Sequence, residues 1–211
     1  MDADWSIELG ADDFTLDFPW SARELGYLDL KQHPELVDTL SEVGEFPELA
    51  PVLRSLNGSS PWLLTAKCDV WFDEELQPAE DIYDASCRLS SYIDVLFVNE
   101  LRFSLEGQER FVKAAVALAS EAKNPVTSVE FVVRRCYFRP HLGPDVPGAC
   151  LKERGSDKEG VTVAERDGFY VSVYVSGYGM DRISARRAWA SALSTAADAV
   201  VRAAEGTHQM R

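Results

Sequence analysis

The chain has 211 residues, 46% of them hydrophobic and including five Trp and seven Tyr, which is enough apolar mass for a packed core and too much for a disordered polymer. Its formal net charge of −14 speaks against recognition of nucleic acid or anionic membrane, both of which are read through basic patches. No apolar run approaches the roughly 18 residues needed to span a bilayer, and the acidic opening MDADWSIEL lacks the basic and apolar regions of a signal peptide, so a cytoplasmic location is expected. The charge is uneven: residues 1–60 hold 13 Asp and Glu against 3 Lys and Arg. Such a surface keeps a protein soluble and steers a cationic partner toward it.

In chain order, WSIELGADDFTLDF (5–18) reads as a hairpin, with Trp5, Ile7 and Leu9 alternating, Phe14, Leu16 and Phe18 alternating, and GADD as the turn. Pro19 ends it, having no N–H to give a ladder. PELVDTLSEV (34–43) and PELAPVLRSLN (47–57) each begin with Pro-Glu, a first-turn pattern that predicts two short helices. PWLLTAKCDVWF (61–72) predicts a strand with Leu64, Ala66, Cys68, Val70 and Phe72 on one face and Thr65, Lys67, Asp69 and Trp71 on the other. After a polar connector, SCRLSSYIDVLFVN (86–99) is a second strand, with Ile93, Val95 and Phe97 opposite Tyr92, Asp94 and Leu96. A helix over 104–123 has Ser104 as N-cap and Phe111, Ala115, Leu118 and Ala122 as its apolar stripe.

VTSVEFVVRRCYF (126–138) predicts another strand, followed by a loop rich in Gly, Pro and charge. GFYVSVYVSGYG (168–179) then alternates so regularly that Phe169, Val171, Val173 and Val175 share one face, and Tyr170, Ser172, Tyr174, Ser176 and Tyr178 the other. A last helix over 182–205, capped by Asp181, is apolar at Ile183, Trp189, Leu193, Ala196, Ala197 and Val200. From residue 61 the order is ββαββα. It predicts an α+β two-layer sandwich, a mainly antiparallel sheet with both long helices on one face. The expected organisation is an acidic segment 1–60 packing on the main domain, the ββαββα domain 61–206, and a flexible tail 207–211.

The face away from the helices is then expected to carry Lys67, Asp69 and Trp71 from the first strand, and Arg88, Tyr92 and Asp94 from the second. The third gives Arg135 and Tyr137 or their alternates, and the fourth Tyr170, Tyr174 and Tyr178. Rings interleaved with charges of both signs suit a binding surface, because Tyr and Trp join apolar area to a hydrogen-bonding tip. The competing expectation is that residues 1–60 lie across this face to bury Trp5, Phe14, Phe18, Trp20 and Phe46, leaving the tyrosines as packing residues. Base stacking on the face lacks the positive surround that phosphates need. Arg134, Arg135 and Arg139, helped by Arg186 and Arg187, form the one basic cluster, suited to a local anion or carboxylate.

Catalytic and metal signals are weak. Cys68, Cys87, Cys136 and Cys150 contain no CxxC. The first three read as buried apolar residues, with Cys68 and Cys87 on strands expected to pair, and Cys150 lies in a loop. His33, His141 and His208 are scattered, and no metal or cofactor is expected. RRCYFRPH (134–141) places Cys136 near Arg135 and His141, where a thiolate beside cations would be activated, but alternation turns Cys136 toward the core. Asp69 and Asp94 would form an acid–base pair if their strands set them side by side. GYG at 177–179 and GPDVPG at 143–148 match no phosphate-loop spacing. Two functions stay open: a non-enzymatic protein that engages a basic protein partner through its acidic surface and tyrosine-bearing sheet, or a small-molecule binder or enzyme. The second would place its pocket between the N-terminal segment and the sheet and use Arg135, Asp69, Asp94 and Tyr174.

Overall fold

The computed structural model describes residues 1–20, 26–74, 76, 83–124, 126–139 and 166–209; His141, Cys150 and the GPDVPG loop lie outside them. The fold is α+β around one mixed, mostly antiparallel sheet. Its strands are β1 (Asp2–Glu8), β2 (Thr15–Phe18), β3 (Leu63–Asp73), β4 (Cys87–Phe97), β5 (Thr127–Phe138) and β6 (Arg166–Gly179). They run in the order β1-β5-β6-β4-β3, with β2 also on β5. The helices are α1 (Ser41–Glu45), α2 (Leu49–Gly58), α3 (Leu105–Ser120) and α4 (Arg182–Gln209).

The expected N-terminal hairpin does not form. Both β1 and β2 run parallel to β5, Glu8 paired with Arg134 and Thr15 with the very next residue, Arg135. Residues 9–14 therefore leave the sheet, turn through an Asp13 N–H to Gly10 carbonyl bond of 3.3 Å, and return one step further along the same neighbour. The physical reason is the long outer edge of β5, whose N–H and C=O groups need partners; two segments in line satisfy it, whereas a hairpin closed on itself would leave much of it bare. Residues 1–60 thus widen the main sheet through β1 and β2.

A second departure lies in β3. Thr65 pairs with Val95 and Cys68 with Ile93, so Ala66 and Lys67 together oppose Asp94 in a β-bulge. The extra residue reverses the face of everything before it. Leu64 and Ala66 join Leu96 and Tyr170 away from the helices, while Thr65 turns to the helical side. From Cys68 onward the expected faces hold, with Cys68, Val70 and Phe72 toward the helices. Cys68 and Cys87 are free thiols and not neighbours, for Cys68 pairs with Ile93 and Cys87 with Gly179.

One sheet face is buried by α2, α3 and α4. Ile93, Val95, Phe97, Val129, Phe131, Val133, Val171, Val173 and Val175 form a single core with Phe111, Trp189, Leu193 and Val200. Trp189 is fully buried, and its indole N–H donates to Ser91 Oγ at 2.9 Å, which removes the cost of an orphaned donor. The glycines of GYG serve this packing. A Cβ on Gly177 would lie 2.1 Å from Trp189 N, and one on Gly179 2.6 Å from Ala185 N, so α4 sits against β6 only because those side chains are missing.

Both long helices cap as expected, Ser104 Oγ accepting from Gly107 N at 3.0 Å and Asp181 Oδ1 from Ser184 N at 2.7 Å. The stripe on α3 turns toward Val112 and Ala119, leaving Leu118 and Ala122 only partly buried. Ile183 on α4 is 72% exposed and no part of the core. That helix runs to Gln209, past residue 207, and Thr207 Oγ1 donates back to Ala203 O at 2.8 Å. The first predicted short helix divides into a 3-10 turn, Pro34–Thr39, and α1.

The region before β3 is pinned by two polar side chains. Lys31 Nζ donates to the carbonyls of Asn57, Ser60 and Leu63 at 2.8–2.9 Å, satisfying the carbonyls that a helix end leaves open. Buried Asn57 accepts from Thr65 N at 3.0 Å and donates to Leu53 O at 2.8 Å. At the two sheet edges an aspartate occupies an N–H of its own strand: Asp4 Oδ1 accepts from Trp5 N at 2.7 Å, and Asp69 Oδ1 from Val70 N at 2.8 Å. Those edges are blunted against further strand pairing.

Candidate functional site

The face away from the helices has two halves. At one end it is closed: Leu16, Phe18, Leu64, Leu96, Cys136, Phe138 and Tyr170 form a second apolar cluster, with Trp20, Tyr27, Val98 and Phe103 packed against it. Phe18 stacks edge-on against Tyr27 at 4.8 Å and Phe138 at 6.2 Å. Tyr170 is 0% exposed. Residues 9–20 and Tyr27 cover this end, so for Tyr170 the competing expectation of a packing role is the right one.

At the other end the face is open, and the register arranges it in rows. The positions Asp69, Tyr92, Tyr174, Glu130 and Asp4 pair in one line across β3, β4, β6, β5 and β1. Four interstrand steps make that line about 19 Å long. The next row reads Trp71, Ser90, Ser176, Ser128 and Asp2, and the row after it Asp73, Arg88 and Tyr178. Trp71, 39% exposed, meets Tyr92 at 6.4 Å between ring centres, and Tyr92 meets Tyr174 at 5.9 Å. Trp71, Tyr174 and Tyr178 wall a groove of about 260 Å³ that is floored by Ser90, Ser128 and Ser176 and flanked by Arg88 and Glu130.

The charge of this half is carboxylate. Its cations are engaged: Arg88 with Asp73 at 2.8 Å, and Arg134 with Glu8 at 2.7 Å. Lys67 Nζ lies over the rings of Trp20 and Phe14, at 5.0 and 5.5 Å. Asp4, Asp69 and Glu130 are exposed and form no ion pair among the described residues. Glu130 and Asp4 are register partners of like charge, a pairing that sheets ordinarily disfavour; Ser6 Oγ donates to Glu130 at 3.2 Å.

Between the halves lies a buried polar chain. Asp94, 2% exposed, accepts from Ser172 Oγ at 2.6 Å, and Ser172 Oγ accepts from Arg134 Nη1 at 3.2 Å. Arg134 also donates to Tyr174 Oη at 2.6 Å and twice to Glu8. Burial pushes the Asp94 carboxyl up to about 6, against the opposing pull of the Ser172 bond and of Arg134 and Lys67. Burial works against the charge of Arg134 too, but its bonds to Tyr174 and Glu8 prevail and hold it protonated. Tyr92 is pushed up to about 12 by burial and then by Asp94 and Asp69, so its hydroxyl stays a donor.

Of the expected site residues, the open half brings together Asp69, Trp71, Tyr92, Tyr174 and Tyr178, with Lys67 and Asp94 at its inner border. Arg135 and Tyr137 do not belong to it. Arg135 is in register with Phe169, which packs toward the helical core, and donates to Leu9 O at 3.1 Å; Tyr137, two residues on, shares that face. The alternate residue, Arg134, is the one that meets Tyr174. Asp69 pairs with Tyr92 and not with Asp94, which lies opposite the bulged Ala66 and Lys67, so the two carboxylates form no acid–base pair.

The closed half is filled by the second apolar cluster, and Arg135, Asp69, Asp94 and Tyr174 do not converge there. Cys136 is fully buried and burial pushes its thiol up, the reverse of an activated nucleophile. Of the basic cluster, Arg139 pairs with Asp17 and Arg186 with Glu48, Arg134 and Arg135 are engaged by Glu8 and the Leu9 carbonyl, and Arg187 alone is left without such a partner among the described residues. Sequence reasoning missed Glu130 and Asp4, although strict alternation in DADWSIE and TSVEFVV places them; the mistaken hairpin hid their partnership. Among the described residues no group of His, Cys, Asp and Glu is placed to hold a metal ion, and no helix is long and apolar enough to cross a membrane. Comparison with known proteins finds no match to a family model, a curated protein or a solved structure, so function is read from this geometry alone.

Proposed function

We propose that the protein is a non-enzymatic binding protein whose open sheet half docks a basic protein partner. The ββαββα unit from residue 61 is read as a two-layer sandwich, with its helical layer taking up one sheet face and residues 9–20 with Tyr27 half of the other. The observation that carries the reading is the row Asp69, Tyr92, Tyr174, Glu130, Asp4. A ring pair flanked by unpaired carboxylates matches lysine and arginine side chains, whose ammonium or guanidinium groups favour both aromatic faces and carboxylates. The like-charged Glu130 and Asp4 pairing supports it further, since a cross-strand rule broken on an exposed face marks a place kept for something other than folding. The nucleic-acid and membrane surfaces disfavoured by composition find no basic patch among the described residues of this half.

The test is fluorescence anisotropy with a labelled deca-arginine peptide at low ionic strength. The double variant Asp69→Lys/Glu130→Lys is expected to bind at least ~20-fold more weakly than the parent, because both attraction and steering are reversed. Glu121→Lys/Glu205→Lys makes the same change of net charge at exposed positions on the helical side and is expected to alter affinity less than ~3-fold. Equal losses in the two variants would reduce the interaction to net charge and remove the site.

A further inference from the structure

A second cavity, of about 690 Å³, lies where β6 turns into α4. It shares Tyr178 with the aromatic groove but opens beyond the end of the sheet, and its size is that of ordinary small-molecule sites. Its walls are mainly apolar: the rings of Tyr83 and Tyr178, Val126, Met180 and Ala188. The backbone around it is strained. Asp84 (φ 53°) and Val126 (φ 60°) are the non-glycine residues with positive φ among those described, and both adjoin this cavity. A β-branched residue in the left-handed region costs about 1–3 kcal/mol and persists only where its surroundings impose it, most often at ligand clamps and other functional sites.

The polar groups at the rim are almost all spent within the fold. The Tyr83 hydroxyl bonds Asp2 and Thr127 O, the Tyr178 hydroxyl is shared with Ser128, and Asn124 is tied to Ser191 and Thr195. Asp181 is held at the helix cap by the N–H and hydroxyl of Ser184. Arg187 is different: it is exposed and makes no hydrogen bond or ion pair among the described residues. One available guanidinium above an apolar wall defines its complement, an apolar body bearing a single anionic group.

We propose that this cavity binds a small amphipathic acid, with the carboxylate on Arg187 and the apolar body against Val126, Ala188 and the rings of Tyr83 and Tyr178. Apart from the shared ring of Tyr178, the site uses none of the carboxylates of the basic-partner face.

The probe is 8-anilinonaphthalene-1-sulfonate, an aromatic body with one sulfonate, followed by its fluorescence. A saturable one-to-one rise is expected, weakened about tenfold by Arg187→Gln, abolished by Ala188→Phe, which fills the cavity, and reversed by added decanoate. Asp69→Lys/Glu130→Lys should bind the probe like the parent, which keeps this site separable from the sheet face. A rise that does not saturate, or one indifferent to both Arg187→Gln and decanoate, would overturn the proposal. Those two readouts decide it even if Ala188→Phe fails to fold, which circular dichroism reveals.

Discussion

The two halves of the exposed sheet face are built on the same strands with the same alternation, yet one is core and the other surface. Tyr170 and Tyr174 lie four residues apart on the same face of β6, and Tyr170 is completely buried while Tyr174 stays half-buried and lines a groove. What separates them is cover: residues 9–20 and Tyr27 lie over the first and stop short of the second. A strand pattern therefore assigns a side chain to a face, but the fate of that face is set by a segment far away in sequence.

The sharpest way to break this comparison is by truncation. Tyr170→Ala should cost about 3–5 kcal/mol in chemical denaturation, as the loss of a fully buried ring does. If it costs less than the truncation of Trp71, the halves have been assigned the wrong way round. Asp94 at their boundary gives the next largest effect, with the opposite sign. Its carboxyl is pushed up to about 6 by burial, so the folded state holds the proton more tightly than the unfolded chain. Its stabilising contribution is full below the unfolded value of about 4 and is lost as pH rises through 6. Asp94→Asn keeps the acceptor for Ser172 and removes the charge, so it should raise stability at pH 7 by about 3 kcal/mol and flatten the pH dependence between 4 and 6. A variant less stable than the parent at pH 7 would show that the charge is needed where it lies.

Smaller effects belong to the open half. Trp71→Ala should cost less than about 1 kcal/mol, since its ring is 39% exposed. Glu130→Lys should leave the melting temperature unchanged or slightly raised, because it turns a like-charged pairing with Asp4 into an opposite one. A marked loss of stability would mean that Glu130 serves the fold, and the functional reading of the row would lose its support.

Much of this arrangement was legible in the sequence. The alternation in GFYVSVYVSGYG sorted its valines to the helical core and its tyrosines to the other face, and Ser104 and Asp181 marked the starts of both long helices. The errors share one cause, pairing over long distance. GADD looks like a hairpin turn, and nothing local reveals that β5 takes β1 and β2 in line along one edge. Nothing in LLTAKCDV signals a bulge either, and that single extra residue moves Leu64 and Ala66 to the other face; the pairing register, which sets Asp69 against Tyr92, is equally invisible locally. Arg134 and Arg135 are adjacent, so only the register with β6 decides which of them meets Tyr174. In the same way, the glycines of GYG look like a loop motif until α4 is seen resting against them.

The central claim is that the open half, and no other surface, receives a cationic partner. Two-dimensional amide NMR of the labelled protein titrated with deca-arginine tests it most directly. Perturbed amides should cluster on Asp4, Asp69, Trp71, Tyr92, Glu130, Tyr174 and Tyr178 and spare α3 and α4. Perturbations spread over the acidic stretch 35–48, with the tyrosine rows unmoved, would contradict it.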